Sequence, residues 1–378
     1  MKGFRNVRAY VGGEFVTCDI LFDEKIRGVG AEKPDEIISL PEDAIVLPGF
    51  IDEHIHGAGG ADTMDGSVEA LTVMADTLTR EGTTTFLATT MTQSPENIHR
   101  ALNAVREYRG MKRRAGARIA GAHLEGPFIA EAHKGAQPAE YIAEPSVEVF
   151  EKYQAASGGS IKIVTLAPEA EGAAELIKYL TAHGIVSSVG HTSAKHVSVV
   201  EAVASGASHV THTFNAQSPL HHREIGVVGS ALLMDELTAE LIADTVHVSV
   251  PAMKLLEKCK GENLILITDA IRAKGLGDGE SELGGQKVFV KGGEARLADG
   301  TLAGSVLRMN VALKNIVEKV GVPLERAVKF ATENPARALG IFEETGSIEV
   351  GKRADFAVLD RSFEVLLTVR DGEIVYRA

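Results

Sequence analysis

An alternation of short apolar segments with helical patterns runs through most of the 378 residues and limits the fold more than any other feature. Segments at 45–56, 83–90, 119–123, 161–166, 185–191, 208–212, 239–243 and 264–269 read as strands. After the first of them, Val68, Leu71, Met74, Ala75 and Leu78 recur at helical spacing. Ser94-Pro95-Glu96 reads as an N-cap with proline at the first helical position. Further helical patterns cover 146–156, 173–182, 194–204 and 251–258, with 305–320 and 323–332 after the last strand. Alternating β and α units build a parallel sheet. About eight such units close into a (β/α)8 barrel of the TIM type. An open doubly wound sheet is the competing architecture, and the lack of a Gly-x-Gly-x-x-Gly after the first strand weighs against it. Residues 272–300 break the alternation. They are glycine-rich, carry a β-like run at 286–290, and read as an insertion.

Both ends of the chain differ from the middle. The first 45 or so residues hold short strands, and so do GSIEVGKRADFAVLD and FEVLLTVRDGEIVY near the end, where Arg370-Asp371-Gly372-Glu373 signals a hairpin. The two ends are therefore expected to meet in one small β-sandwich. This divides the chain into 1–48, a catalytic barrel over 49–342, and 343–378. The net charge of −13 argues against nucleic acid and anionic membranes as partners. Cys18 and Cys259 stand alone, with no CxxC, so a reducing cytoplasm is expected and a disulfide framework is not. The opening MKGFRNVRAY has no apolar core of a signal peptide. No apolar run approaches the roughly 20 residues of a membrane helix.

The chemistry gathers at the strand ends. His54 and His56 lie two apart on the first strand, so both imidazoles share one face. Alone, the pair fits packed histidines as well as metal ligands. The third strand, however, leads into His123-Leu124-Glu125-Gly126-Pro127, the fifth ends Gly190-His191-Thr192, the sixth ends Thr211-His212-Thr213, and the eighth ends Thr268-Asp269-Ala270. C-terminal strand ends face one mouth of a barrel, where active sites sit. Imidazole and carboxylate there are the ligands of a catalytic zinc or iron. His209 is three residues before His212 and is assigned to the opposite face, while His123 is read as support one layer below Glu125. Gly57-Ala58-Gly59-Gly60 lacks the ending of a phosphate loop. Lys195 and the run at 257–262 read as solvated surface.

PGFIDEHIHG, HLEGPF, GHT, THTFNA, DTVHV, TDA and LAGS occur in this order. In that order the chain resembles the N-acetylglucosamine-6-phosphate deacetylases of the amidohydrolase superfamily, nearly end to end. HLEGP with THxxNA is specific to this branch, whereas HxH marks only the superfamily. The resemblance implies that Glu125, His191 and His212 hold the catalytic metal. It also implies that His54 and His56 admit a second one with Glu125 bridging, so one or two divalent ions, zinc or iron, per subunit. Asp269 corresponds to the general base and acid. Ala136, Gln137, Asn215, Ala216, Arg223, Asp244, His247, Leu302, Ala303 and Gly304 correspond to substrate-contacting positions. The resemblance assigns Arg223 to the sugar phosphate in a neighbouring subunit's site, and so implies a homodimer. One departure is visible. Lys134-Gly135-Ala136-Gln137 stands where well-studied members have KGxH, so a neutral donor replaces a histidine thought to polarise the scissile carbonyl.

The implied reaction is hydrolysis of N-acetyl-D-glucosamine 6-phosphate to D-glucosamine 6-phosphate and acetate, in amino-sugar catabolism. A divalent metal activates water and polarises the carbonyl. Asp269 takes the water proton and passes it to the leaving amine. Arg223 suits phosphate through its planar fork, with His222 and His247 as further donors and His133 near Gln137. The competing readings are a deacetylase for the galactosamine epimer, a cyclic-amide hydrolase on the same fold, and a non-enzymatic scaffold. The scaffold reading is disfavoured because every ligand and the aspartate are present.

Overall fold

Eight parallel strands form the centre of the computed structural model, which describes residues 1–30, 33–111, 113 and 115–378. They are β1 (Phe50–Ile55), β2 (Thr83–Thr90), β3 (Arg118–Glu125), β4 (Ile161–Leu166), β5 (Val186–Val189), β6 (His209–Val210), β7 (Thr238–Ile242) and β8 (Leu264–Ile267). Each pairs in parallel with the next in sequence. The ring closes where the chain leaving β8 meets β1. There the Asp269 N–H donates to the His54 carbonyl and the His56 N–H to the Ala270 carbonyl, both at 2.9 Å. Every residue of β2 is buried, as expected of a parallel strand covered by helices.

The helices start where their caps are. Ser67 accepts from the Ala70 N–H and opens Val68–Leu78, which buries Leu71, Met74, Ala75 and Leu78 against the barrel. Ser94 accepts from the Asn97 N–H and opens Pro95–Gly110, with proline in its first turn. Two boundaries differ from the sequence reading near the end. The helix expected from 305 begins only at Met309, because Ser305 is held extended beside Ala270. A further helix, Glu333–Ala338, follows Leu324–Ala331 across a break at Thr332.

The segment 45–56 is two strands rather than one. Ile45–Pro48 pairs with Phe356–Leu359 in the terminal sheet, and β1 starts after Gly49. At that point hydrogen bonding changes partner: the Gly49 N–H donates to the Asp355 carbonyl and the Phe50 N–H to that of Gly82. A side chain at Gly49 would meet Thr84, its Cβ 2.2 Å from Oγ1, so only glycine fits the crossing.

Both ends of the chain share one eight-stranded sheet. Its order is Glu373–Arg377, Val365–Arg370, Phe356–Leu359, Ile45–Pro48, Lys2–Val11, Glu14–Phe22 and Ile26–Gly30, with the short Glu36–Ile37 beside Lys2–Val11. Phe22 and Phe356 lie on strands three places apart, yet their ring centroids are 5.1 Å apart. The sheet is therefore bent over a core that includes Phe4, Ile26 and Val46, and the two layers of the sandwich are halves of one sheet. The hairpin at its end turns through Asp371 and Gly372, both with positive φ, as a type I′ turn needs.

The insertion is a three-stranded antiparallel sheet, Gly279–Leu283, Gln286–Lys291 and Glu294–Leu297. Lys274 at its base is buried and ion-paired with buried Glu81 at 2.7 Å, which anchors the insertion to the barrel. Among the described residues no helix is long and apolar enough to cross a membrane.

Candidate active site and metal centre

The site lies just past the C-terminal strand ends. β5, β6 and β8 end at Val189, Val210 and Ile267, and His191, His212 and Asp269 follow two residues later with φ of 47°, 29° and 46°. The sequence reading placed all three at the ends of strands; each instead occupies a left-handed turn. Such a backbone costs about 1–3 kcal/mol for a non-glycine residue and persists only where its surroundings fix it. Here the His212 N–H donates to Glu240 Oε2 at 3.0 Å. The Ser305 N–H donates to the Asp269 carbonyl at 2.8 Å. In exchange, the turns swing two imidazoles and a carboxylate onto one point.

Glu125, at the end of β3, is that point. Its Oε1 is 3.1 Å from His212 Nε2, 3.2 Å from His191 Nε2 and 3.3 Å from His54 Nε2. Its Oε2 is 3.2 Å from His56 Nε2. Asp269 Oδ1 is 3.2 Å from His56 Nε2 and 3.5 Å from His54 Nε2. All six side chains are buried. Lone-pair atoms this close, facing one another, are spaced like ligands about 2.0–2.2 Å from a shared cation. Two such groups share Glu125, His54–His56–Glu125 and Glu125–His191–His212, and a third set, His54–His123–Glu240, lies beside them. His54 Nε2 is fully buried and has no hydrogen-bond partner, so the donor set fits a metal.

The electrostatics agree. Burial alone would push His56 down, but hydrogen bonds to Asp269 and Glu125 outweigh it and hold His56 up to about 10. Burial alone would raise Asp269, but His54, His56 and His212 hold it at about 2. Glu125 is held well below the carboxylate range by His54 and His191 against the same burial. The carboxylates thus stay anionic and draw positive charge to the centre. A bound divalent ion would supply that charge and leave the imidazoles neutral, as ligation requires.

A second layer orients the first. His54 Nδ1 donates to Glu240 Oε2 at 2.9 Å and His191 Nδ1 to the His133 carbonyl at 2.8 Å. His123 lies beneath, with Nε2 2.8 Å from Thr165 Oγ1; burial pushes it down to about 3, so it is neutral. His209 is buried apart from the centre against Ser208, and burial pushes it down to about 4. Lys195 is exposed ahead of the helix His196–Ser205.

The centre opens into a cavity of about 340 Å³, large enough for a sugar-sized ligand. His56, Glu125, His191, His212 and Asp269 form its floor, and Ala136, Gln137, Asn215, Ala216, His247, Leu302 and Gly304 line its walls. Ala303 is fully buried behind them. Asp244 acts on His247: Oδ2 accepts from Nδ1 at 2.6 Å and Oδ1 from its backbone N–H. Gln137 accepts from the Thr92 N–H at 2.8 Å, which turns its amide nitrogen toward Glu125 Oε2 at 3.1 Å. Arg223 is not brought to this cavity. It is exposed, with Nη1 2.8 Å from His222 Nε2, on a loop held outward by the His221–Glu224 turn.

Several neighbours of the centre are absent from the sequence reading. Met91, Leu283 and Thr301 line the cavity, and Glu240 touches two of the histidines. Glu240 had a signal, a lone acid within an otherwise apolar strand at 239–243. Met91 directly follows the strand 83–90. Leu283 belongs to the insertion, whose placement over the mouth no local pattern announces.

The amidohydrolase family model matches residues 45–375. The chain is 48% identical over 361 residues to N-acetylglucosamine-6-phosphate deacetylase of Bacillus subtilis, covering 94% of this chain and 91% of that protein. It is 38% identical to N-acetylgalactosamine-6-phosphate deacetylase of Escherichia coli O157:H7, covering 89% of each. Among solved structures, a mutant N-acetyl-D-glucosamine-6-phosphate deacetylase from Mycobacterium smegmatis, in complex with N-acetyl-D-glucosamine-6-phosphate, superposes with a TM-score of 0.90. Its identity is 32%, with 99% of this chain and 98% of that one covered.

Proposed function

The chain belongs to the N-acetylglucosamine-6-phosphate deacetylases of the amidohydrolase family, and we propose that it hydrolyses N-acetyl-D-glucosamine 6-phosphate to D-glucosamine 6-phosphate and acetate at the Glu125 centre. The observation that carries this reading is the sharing of Glu125 between two pairs of histidines, with Asp269 against the same opening, at the floor of a sugar-sized cavity.

His54, His56 and Asp269 would hold one divalent ion with Glu125, and His191 and His212 a second one; zinc and iron both suit these donors. When bound, a divalent ion activates water and polarises the acyl carbonyl. Asp269, on the cavity floor with Oδ1 3.2 Å from His56 Nε2, accepts the proton of the attacking water. It then delivers that proton to the sugar nitrogen, so that the amine leaves neutral. Gln137, fixed by Thr92, presents a neutral N–H donor on the acyl side. His247, steadied by Asp244, and Asn215 hold the sugar. Met91, Ala136 and Leu283 give the cavity an apolar wall that excludes bulk water.

The phosphate needs a cation that this cavity does not have, since no lysine or arginine lines it among the described residues. Exposed Arg223 fits that need from a second copy of the chain, in a homodimer with shared sites. The reaction would belong to amino-sugar breakdown in the cytoplasm.

Acetate release from N-acetylglucosamine 6-phosphate, its galactosamine epimer and the unphosphorylated sugar tests the reading on metal-loaded protein. The largest kcat/KM is expected for the gluco phosphate. Preference for the galacto epimer would assign the substrate of the Escherichia coli relative instead. Mixing Arg223→Ala with Asp269→Asn protein tests the shared site. Subunit exchange should restore activity, because a heterodimer contains one site with Asp269 and a neighbour's Arg223. No recovery on mixing, with exchange demonstrated, would remove Arg223 from that role.

A further inference from the structure

One buried carboxylate stands outside both groups that share Glu125 yet touches each of them. We propose that Glu240 is a positioning residue that ties the two halves of the metal centre together and fixes the imidazole form of His54. The proposal rests on the metal-centre reading above.

Glu240 lies in the middle of β7 and is fully buried. A single oxygen, Oε2, accepts from His54 Nδ1 at 2.9 Å and from the backbone N–H of His212 at 3.0 Å. Its backbone carbonyl accepts from the Thr213 N–H at 2.9 Å. His54 and His212 belong to different groups around Glu125. One residue therefore sets the direction of a ligand in each.

The two contacts do different things. Accepting from His54 Nδ1 requires the proton on that nitrogen. The lone pair is then on Nε2, which faces Glu125 Oε1 at 3.3 Å and Asp269 Oδ1 at 3.5 Å. In the other tautomer the ring would turn an N–H toward the centre and could not ligate. At His212 the contact is to the main chain. Consecutive N–H groups, of His212 and Thr213, both end on Glu240, and between them they hold the left-handed turn at φ 29°. That turn carries His212 Nε2 to Glu125.

A carboxylate in this place has to be explained, because burying a charge costs several kcal/mol unless partners satisfy it. The other oxygen, Oε1, has no hydrogen-bond partner. A leucine would fill a barrel interior without that cost. What Glu240 adds is an acceptor for two donors that would otherwise be buried and unpaired, both of them on metal-ligating residues. Partners of this kind orient ligating histidines and raise their basicity.

Metal titration of the full chain, stripped and reloaded with Zn²⁺, tests the proposal with Glu240→Gln and Glu240→Leu. The glutamine keeps a carbonyl oxygen as acceptor and should bind as many ions as the parent, within about tenfold in affinity. The leucine should lose about 10–100-fold in affinity, the usual effect of removing an orienting partner. Leucine protein that binds zinc with parental stoichiometry and affinity would overturn the proposal, as would glutamine protein impaired as severely as leucine. Should the leucine variant fail to fold, ¹⁵N-histidine NMR of the zinc-loaded parent decides. A slowly exchanging proton on His54 Nδ1 supports the proposal, and a proton on Nε2 refutes it. A parent that binds no zinc refutes the metal-centre reading itself, a result separate from these.

Discussion

Asp269→Asn exchanges one oxygen for an amide nitrogen and leaves the turn that carries it in place. The bonds that fix Asp269 are from its own N–H to the His54 carbonyl at 2.9 Å and from the Ser305 N–H to its carbonyl at 2.8 Å, and neither uses the side chain. The variant should therefore fold and melt close to the parent. What disappears is the carboxylate on the cavity floor, with Oδ1 3.2 Å from His56 Nε2, that is placed to accept the water proton. A positioned acid or base contributes about 10²–10⁴-fold. One group serving both the attack and the departure belongs in the upper part of that range. A loss of about 10³–10⁴-fold in kcat follows, or about 4–5.5 kcal/mol of transition-state stabilisation at 1.36 kcal/mol per decade. KM should move little, because the phosphate and most of the sugar bind elsewhere. Acetate release at saturating substrate, at matched metal content, measures the effect. A kcat within tenfold of the parent at full metal loading would refute the acid–base role. Recovery of the rate on adding metal would show that Asp269 acts as a ligand only.

Three further outcomes follow from the geometry. Lys274→Met leaves Glu81 buried and unpaired, so denaturant unfolding should show a loss of about 3–5 kcal/mol, partly recovered in the double variant with Glu81→Gln; no recovery would mean that the ion pair is not the source of the loss. Thr245 is β-branched at φ 71°, so Thr245→Gly should relieve strain and stabilise by about 1 kcal/mol after glycine's entropy is counted, seen as a raised Tm; a lowered Tm would contradict this. Burial pushes Asp371 up, but Arg118, Arg353 and Arg370 outweigh it and hold it at about 2, below its ordinary 3.8. A depressed carboxylate adds stability above its unfolded pKa that is lost as pH falls through the folded one. Asp371→Asn should then be less stable than the parent at pH 6, with the difference closing between pH 3.8 and 2; a difference independent of pH would count against the charge pairing.

The barrel and the polar residues gathered at its mouth were legible because two periodicities coincide in the chain. Apolar segments at strand length alternate with helical spacing, and the residues that follow them, His191, His212 and Asp269, are of types that rarely sit buried without a purpose. The same pattern could not show that these residues stand beyond their strands in left-handed turns. Backbone conformation there is set by Glu240, His54 and Ser305, which are distant in sequence. The break at Gly49 was hidden for a similar reason. Residues 45–56 are continuously apolar enough to read as one strand, and only the crowding against Thr84 separates the two sheets. The Lys274–Glu81 pair spans the insertion and the turn before β2, so no local window contains both. Arg223 is assigned to the phosphate by the resemblance alone, since His221–Glu224 by itself reads as a solvated loop, and in a single chain it is exposed and away from the cavity.

Glu125 joins two sets of histidines in one centre, where a bound metal would drive amide hydrolysis. The most direct test is metal content and acetate release from N-acetylglucosamine 6-phosphate, measured on the same preparation purified without added metal. Activity should rise in proportion to bound divalent ion, vanish on chelation and return on reloading. Full turnover in protein stripped of metal, or no acetate from protein with both sites loaded, would contradict it.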